Sequence, residues 1–290
     1  MADSSFLTPD LAGHARAIAA RLHVSPDIHP SDYIFRWHHD DPNTPDKVAA
    51  LRNYFEGGAH TADLVGRLLG EFRPPPCPFT MLEFASGYGR LTRHWRNAIP
   101  QGEVLACDVH EEAVQFLRQI GCRACPSSAA PEQLGVTQTF DVVFALSFFT
   151  HMPRATWGRW LAALGKRVAA GGQLIFTTHG VPSLKEMGVT QLDKDGFWFN
   201  RFSEQKDLST EDYGVAATTF GFVYRQLITC GLDLCHFRES GMGYQDLYVA
   251  TPRRETGEKL PFADYATRAE VPAARSLRKT LLPNLFAIRN

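Results

Sequence analysis

MLEFASGYGRL, residues 81–91, is the stretch of sequence that decides the fold. A short apolar run contains Glu83 and leads into a turn built on Gly87 and Gly89, after which a helix-like segment begins. Glycine has no Cβ, so such a turn lets backbone N–H groups approach a ligand at the end of a strand, and the start of a helix adds unpaired donors. The stretch therefore predicts a strand that ends at a polar ligand.

A second acid, Asp108, follows the glycine-rich turn at the end of the next predicted strand. EVLACD at 103–108 has the composition of a strand ending in Asp108, nineteen residues after Gly89. An acid at this distance ends the neighbouring strand, where a carboxylate can accept the hydroxyls of an adenosine ribose. The pair predicts an adenosine-bearing cofactor. NAD is disfavoured, because a dinucleotide fingerprint has a third glycine where this chain has Thr92.

These motifs resemble those of the class I S-adenosylmethionine (SAM) dependent methyltransferases. The resemblance covers roughly residues 50–250 and includes FDVVFALSFFTHMP at 140–153 and the ending GLDLCHF…QDLYVA at 231–250. It implies SAM as the cofactor and S-adenosylhomocysteine (SAH) as the product. Ala85 stands where the family's loop has its first glycine, and we expect this alanine to be tolerated with a negative φ.

The same resemblance implies a set of cofactor contacts. Glu83 and the turn at 85–89 would hold the methionine end, Asp108 the ribose, and Val109 the adenine. For Val109 and the two serines after the third strand, a purely structural role is an equally good interpretation. The cofactor-binding residues predicted in this way are Glu83, Ala85, Ser86, Gly87, Gly89, Asp108, Val109, Ser127, Ser128 and Leu146.

Strand and helix patterns alternate along most of the chain. We predict strands at 80–85, 103–108, 122–125, 140–146, 173–178, 232–237 and 246–250, and helices at 47–72 (interrupted at Gly57 and Gly58), 89–98, 111–120, 153–169 and 218–230. This order predicts an α/β fold with a doubly wound, mostly parallel seven-stranded sheet. The last two strands are too close for a crossover helix, so the last strand should be antiparallel.

Three segments extend this domain, which we assign to residues 47–252. The pattern of residues 1–46 predicts an N-terminal helical arm. Residues 253–290 are predicted to be a C-terminal tail and contain an excess of basic residues. Residues 179–217 interrupt the alternation over a length that is uncommon for a structureless loop, and their aromatic content argues against disorder. We interpret this insertion as a lid over the substrate, with a structural or oligomer-forming insertion as the alternative.

The candidate catalytic residues are two histidines. His151 and His179 follow the fourth and fifth strands at the ligand edge, and imidazole is suited to taking a hydroxyl proton near neutral pH. We predict one of them to be the base, with a structural hydrogen-bonding role as the alternative. An acceptor surface, or a packing surface for the lid, is predicted from Trp198, Phe199, Arg201, Tyr33 and Trp37.

Composition narrows the class of partner. A net charge of −1 and a pI near 6.8 provide no basic field for nucleic acid, so we expect a small-molecule or glycan acceptor. No apolar run suits a membrane span and no signal peptide is evident, which predicts a cytoplasmic protein; a homo-oligomer stays open. No metal site is expected, since Cys122 and Cys125 form an isolated CxxC without a second pair.

The leading functional hypothesis is O-methylation of a small molecule or saccharide intermediate. The Asn/Asp-Pro-Pro-aromatic box of N-methyltransferases that act on planar amines is absent after the fourth strand, where the chain reads ALSFFTHMP. Two alternatives are an NAD(P)-dependent oxidoreductase and a methyltransferase-like binding protein without catalysis. Ala85 is the single hint of the second.

Overall fold

The computed structural model describes residues 6–44, 46–72, 77–203, 205 and 208–253. The first five residues of the predicted arm, and the predicted tail after residue 253, lie outside the described residues. The predicted division of the chain into arm, domain, lid and tail stays a prediction.

A seven-stranded sheet forms the centre of the molecule. In chain order the strands are β1 (Phe79–Phe84), β2 (Gly102–Asp108), β3 (Ala124–Pro126), β4 (Phe140–Ala145), β5 (Val168–His179), β6 (Phe197–Asn200), β7 (Val215–Thr218), β8 (Leu232–Met242) and β9 (Gln245–Pro252). The sheet has the order β3-β2-β1-β4-β5-β9-β8, while β6 and β7 form a separate hairpin. Strands β1 to β5 pair in parallel, and β9 is antiparallel to both of its neighbours. The predicted fold class is confirmed.

Helices cover both faces of this sheet, as alternate residues of each strand require. The helices are α1 (Pro9–Arg21), α2 (Tyr33–His39), α3 (Lys47–Phe72), α4 (Trp95–Ala98), α5 (Glu111–Gln119), α6 (Arg154–Gly165), α7 (Val181–Glu186) and α8 (Phe220–Thr229). On one face Leu82 and Val143 pack in a cluster with residues of α6 and α8. On the other, Met81 and Val142 pack in a cluster with residues of α3 and α4. No helix within the described ranges is long and apolar enough to cross a membrane.

The N-terminal arm shares a hydrophobic cluster with the domain. Ile18 of α1 and Phe35 of α2 are buried together with Leu51 and Phe55 of α3. Helix α2 was not predicted, although Asp32 caps it by accepting a hydrogen bond from the Phe35 N–H at 3.2 Å. The arm is therefore packed on the domain as part of the same folded unit.

The predicted interruption of the helix at Gly57 and Gly58 is wrong. Helix α3 runs unbroken from Lys47 to Phe72, and the glycines serve close packing. A Cβ on Gly58 would lie 2.2 Å from the carbonyl oxygen of Arg90, so only glycine lets the segment after the glycine-rich turn lie on α3. The helix predicted at 89–98 is shorter than expected, a 3₁₀ turn at Thr92–His94 followed by α4.

Two alanine substitutions in α3 test this packing. We expect Gly58→Ala to lower the free energy of unfolding by about 1–3 kcal/mol, the usual range for overpacking, because its Cβ meets backbone atoms. Gly70→Ala is the matched control, since a Cβ at that position would have no other atom within 4 Å, and it should raise stability by about 0.5–1 kcal/mol through helix propensity. Urea unfolding of both variants measures the difference, and equal effects of the two substitutions would contradict the packing role of Gly58.

Candidate functional site

The turn after β1 has a left-handed backbone at three positions. Ala85 has a φ of 56°, and Gly87 and Gly89 have φ values of 57° and 80°. Our expectation of a negative φ at Ala85 is therefore wrong. The turn imposes the conformation that glycine would adopt here, and an alanine in it costs about 1–2 kcal/mol. The N–H of Ser86 donates to the Cys107 carbonyl at 3.2 Å, which joins the strained turn to β2.

The residues of this turn differ in what they face. A Cβ on Gly89 would lie 2.7 Å from Leu117, so this glycine is needed for packing on α5. A Cβ on Gly87 would have no other atom within 4 Å, so this residue faces open space. The Ser86 Oγ is buried and has no hydrogen-bond partner in the described part of the chain. An open face at Gly87 beside a buried hydroxyl that lacks a partner fits a turn that receives a polar ligand.

Asp108 lies opposite the turn at the end of β2. Its side chain is 5% exposed, and its Oδ2 accepts a hydrogen bond from the Gly87 N–H at 2.8 Å. Its Oδ1 accepts from the His110 backbone N–H at 3.0 Å and lies 3.0 Å from the His110 Nδ1. An ionised carboxylate has about four acceptor sites, so roughly one more is left for a ligand hydroxyl.

Glu83 lies in β1, two residues before Ala85. It is 3% exposed, and its Oε2 accepts a hydrogen bond from the Trp95 Nε1–H at 2.7 Å. Burial raises the pKa of Glu83 to about 7, although the Trp95 hydrogen bond opposes the shift. Near neutral pH the carboxyl group is therefore balanced between its two forms, and a positive charge brought close to it would favour the carboxylate.

The remaining predicted cofactor residues line the same edge of the sheet. Val109 is 40% exposed, and the Ser127 N–H donates to the Asp108 carbonyl at 2.7 Å. Ser128 forms a local turn, in which its Oγ accepts from the Ala130 N–H at 3.1 Å. Leu146 is partly buried against the core cluster that contains α3. Their assignment to the cofactor stays a prediction.

The cysteines form no metal centre in the described ranges, which hold no cluster of three or more metal-binding side chains. Cys125 pairs in strand register with Cys107 of β2, and a side-chain hydrogen bond between their thiols raises the pKa of Cys107. All six cysteines are free thiols.

The two candidate histidines are both held by the β6–β7 hairpin segment. The His151 Nδ1 lies 2.8 Å from the Gly214 carbonyl, and the His179 Nδ1 lies 3.1 Å from the Ala216 carbonyl. A carbonyl can only accept, so in the neutral ring Nδ1 carries the hydrogen and Nε2 is the acceptor. His179 is 4% exposed, and burial, followed by the nearby His151, lowers its pKa to about 4. His151 is partly buried and stacks on Tyr213 at a centroid distance of 4.4 Å.

A polar network fixes the strand ends that carry these histidines. Ser147 has a φ of 58°, and its N–H donates to the Thr177 Oγ1 at 2.8 Å. The Thr177 hydroxyl in turn donates to the Gln245 Oε1 at 2.6 Å, and the Gln245 Nε2 donates to the Ser147 Oγ at 2.8 Å. The network joins the ends of β4, β5 and β9. The sequence does not predict this network, although the QD pair at 245–246 belongs to the ending QDLYVA.

Arg93 is a further residue that we did not predict. It is 7% exposed, and its guanidinium reaches the arm, helix α3 and the glycine-rich turn at once. The acceptors, at 2.8 to 3.3 Å, are the carbonyls of Gly89, Ser25, Asp27 and Tyr88 and the hydroxyl of Tyr54. Five acceptors for a group with five N–H donors satisfy it completely. The sequence RLTRHW at 90–95 has the pattern of an ordinary surface helix, so nothing in it indicates that Arg93 is buried.

The predicted acceptor surface is divided between two parts of the structure. Trp37 on α2 is 46% exposed, and Tyr33 begins the same helix. On β6, Trp198 is partly buried and Phe199 packs against the main core. Arg201 lies in an exposed ion pair with Glu211 at 2.5 Å. A role in acceptor binding stays a prediction for all five residues.

Comparison with known proteins agrees with this geometry. A family model described as a methyltransferase domain matches residues 82–174. No curated protein matches the chain in sequence. The fold is similar to that of a SAM-dependent methyltransferase from Clostridium acetobutylicum, which is 15% identical, with a TM-score of 0.52 over 72% of this chain and 99% of that one.

Two further solved structures are similar at lower scores. The glycopeptide N-methyltransferase MtfA is 15% identical, with a TM-score of 0.49 over 67% of this chain and 90% of its own. The sugar N-methyltransferase KedS8 from Streptoalloteichus sp. is 17% identical, with a TM-score of 0.49 over 70% and 91%. The family model and the shared fold confirm the predicted resemblance to class I SAM-dependent methyltransferases, whose cofactor is the predicted SAM.

Two substitutions with opposite expected effects on stability test the left-handed backbone of the turn. We expect Ala85→Gly to raise the free energy of unfolding by about 0.5–1 kcal/mol, because it relieves a left-handed alanine and the flexibility of glycine in the unfolded chain offsets part of the gain. Gly87→Ala should lower stability by about 1 kcal/mol for the converse reason. Thermal and urea unfolding of the two variants measures both changes. A loss of stability in Ala85→Gly would show that the alanine side chain contributes more than its strain removes.

Proposed function

We propose that this chain is a SAM-dependent methyltransferase that methylates a hydroxyl group of a small molecule or saccharide intermediate. The proposal rests mainly on one observation. His151 follows β4 and His179 ends β5, at the edge of the parallel sheet that also carries the glycine-rich turn, and each has its Nδ1 against a carbonyl, so that its Nε2 is an acceptor. A proton acceptor at the edge that carries the turn is what methylation of a hydroxyl requires.

The residues around the turn fit the cofactor. Gly87 provides an open face, the Ser86 hydroxyl lacks a partner, and Asp108 retains capacity to accept a ribose hydroxyl. The positive groups of SAM would favour the ionised form of the buried Glu83, whose pKa burial raises to about 7. When bound, SAM supplies a methyl group already activated on a sulfonium. What the chain contributes is alignment of the acceptor and removal of its proton.

Of the two histidines, His151 is better suited to act as the base. Burial lowers the pKa of His179 to about 4, which makes its ring a weak proton acceptor, and it is 4% exposed. His151 is the more exposed of the pair, and the Tyr213 ring and the Gly214 carbonyl hold its ring in place. We therefore assign proton removal to His151 and a positioning role to His179.

The two alternative functions receive less support. A nicotinamide-dependent oxidoreductase fits poorly with a methyltransferase family match and with a β9 that is antiparallel to both of its neighbours. The hint for a non-catalytic binding protein was Ala85, but this residue adopts the left-handed conformation of the glycine that it replaces. The shape of the turn is thus retained.

Removal of the Asp108 carboxylate tests the cofactor site. We expect Asp108→Ala to weaken SAH binding roughly 10- to 100-fold, since hydrogen bonds to a charged group contribute about 1.5–3 kcal/mol. Asp108→Asn keeps the shape of the side chain and should show a smaller loss. Calorimetric titration of the folded variants with SAH, and with NAD as the negative ligand, gives the answer. An unchanged SAH affinity in Asp108→Ala would exclude Asp108 from the site, and binding of NAD instead of SAH would refute the proposed function.

Single His→Gln variants test the assignment of the base. A panel of saccharides, sugar nucleotides and phenols, incubated with methyl-labelled SAM, first identifies an acceptor and the atom that is methylated. At saturating SAM we expect His151→Gln to lose about 10²–10⁴ in turnover with SAH affinity close to normal. His179→Gln should lose much less. If both variants keep more than about a tenth of wild-type turnover, the loss expected for a general base is missing and histidine catalysis is wrong. A product methylated on nitrogen or carbon would reject a hydroxyl acceptor.

A further inference from the structure

Arg90, which follows the glycine-rich turn, differs from most arginines of the described chain in having no acidic partner. Surface arginines such as Arg36 and Arg159 lie in ion pairs with acids. The described residues place no carboxylate within ion-pair distance of Arg90, and give it one long hydrogen bond, of 3.5 Å from its Nη2 to the Asn53 carbonyl. Arg90 is also partly buried. A desolvated cation without a counter-ion is unfavourable, so it calls for a ligand.

The surroundings of Arg90 are electropositive. Asp32, whose charge interacts with that of Arg90, is occupied by the Tyr54 hydroxyl, at 2.6 Å, and by the N-cap of α2. Burial lowers the pKa of Arg90, and Arg90 itself contributes to the lowered pKa values of His38 and His94. The neighbouring Arg93 is bound by uncharged acceptors alone. The charges of Arg90 and Arg93 therefore both interact with Asp32, a carboxylate that is already engaged.

The packing also leaves room for the guanidinium. A Cβ on Gly57 would lie 2.7 Å from the Arg90 Nη2, so glycine at this position lets the group lie on α3. The charge of Arg90 also interacts with that of Tyr244. The Tyr244 ring stacks on His179 at 5.7 Å, and His179 in turn lies near His151. Arg90 is thus connected to the candidate base His151 through Tyr244 and His179.

We propose that Arg90 binds an anionic group, a carboxylate or a phosphate, on the methyl acceptor. The planar fork of a guanidinium suits two parallel hydrogen bonds to either group, and an acceptor held at this end would extend past Tyr244 towards His151. This inference rests on the proposed function, because it assumes that the acceptor lies between Arg90 and the histidines. It narrows the acceptor class to acidic saccharides, sugar phosphates or similar small anions.

Binding measurements on the SAH-loaded protein test the assignment, because SAH occupies the cofactor's own subsite. The probes are glucuronate and inorganic phosphate, with glucose as the neutral control. We expect both anions to bind the loaded wild type and glucose not to bind. Arg90→Gln should weaken the binding of both anions about 10- to 100-fold, the value of a charge-assisted bidentate contact. Arg52→Gln on α3, which removes the same charge from an exposed ion pair, should change it less than about threefold.

Two further variants, together with a second ligand, distinguish a specific loss of anion binding from misfolding. Gly57→Ala keeps the charge but displaces the guanidinium, so it should also weaken anion binding. Arg90→Lys should fall between the wild type and Arg90→Gln, since a lysine cannot form the bidentate contact. Wild-type affinity of each variant for 5′-methylthioadenosine, which lacks the carboxylate of SAH, shows that the site is folded.

Three results would overturn the inference. The first is the absence of measurable binding of either anion to the loaded wild type, and the second is equal anion affinity in the wild type and Arg90→Gln. The third is a loss of SAH affinity in Arg90→Gln with unchanged affinity for 5′-methylthioadenosine, which would assign Arg90 to the carboxylate of the cofactor. Failure of the wild type to bind SAH at all would refute the proposed function instead.

Discussion

The buried guanidinium of Arg93 is the interaction on which the candidate site depends. Its five acceptors come from the arm, from helix α3 and from the glycine-rich turn, and burial makes each of these bonds costly to leave unmade. The arm and helix α3 therefore help to fix the conformation of the glycine-rich turn. A segment that looks dispensable in the sequence contributes two carbonyls, those of Ser25 and Asp27, to the core of the site.

The sheet was predictable because its signals are local. Strands β1, β2 and β4 were predicted to within a residue or two, since each is a short apolar run bounded by turn residues, and the close spacing of β8 and β9 predicted their antiparallel pairing. Helix α3 was correctly bounded but wrongly interrupted. The reason that Gly57 and Gly58 occur within it is contact with Arg90, a residue more than thirty positions away, and no local pattern contains that contact.

The places of the candidate residues on the sheet were predictable from the sequence, and their conformation was less so. Asp108 and the glycines of the turn occupy the edge that was expected of them. The left-handed Ala85 was missed because residue type predicts φ only statistically, whereas the turn imposes it. Arg93 and the Thr177–Gln245 hydrogen bond were missed because buried polar networks depend on tertiary neighbours. The sequence predicted that His151 and His179 follow the fourth and fifth strands. It did not predict their hydrogen bonds to backbone carbonyls of the insertion.

The position of β9 has a consequence for how the molecule is made. This strand lies between β5 and β8, so a segment near the end of the described chain fills the interior of the sheet. During synthesis the ribosome releases β1 to β5 long before β9, and until then β5 has an unpaired edge that is open to aggregation. The contacts that β9 makes with β5 span about seventy residues, and such distant pairings form slowly. We therefore expect completion of the histidine-bearing edge, where Gln245 joins β4 to β5, to be among the last events of folding.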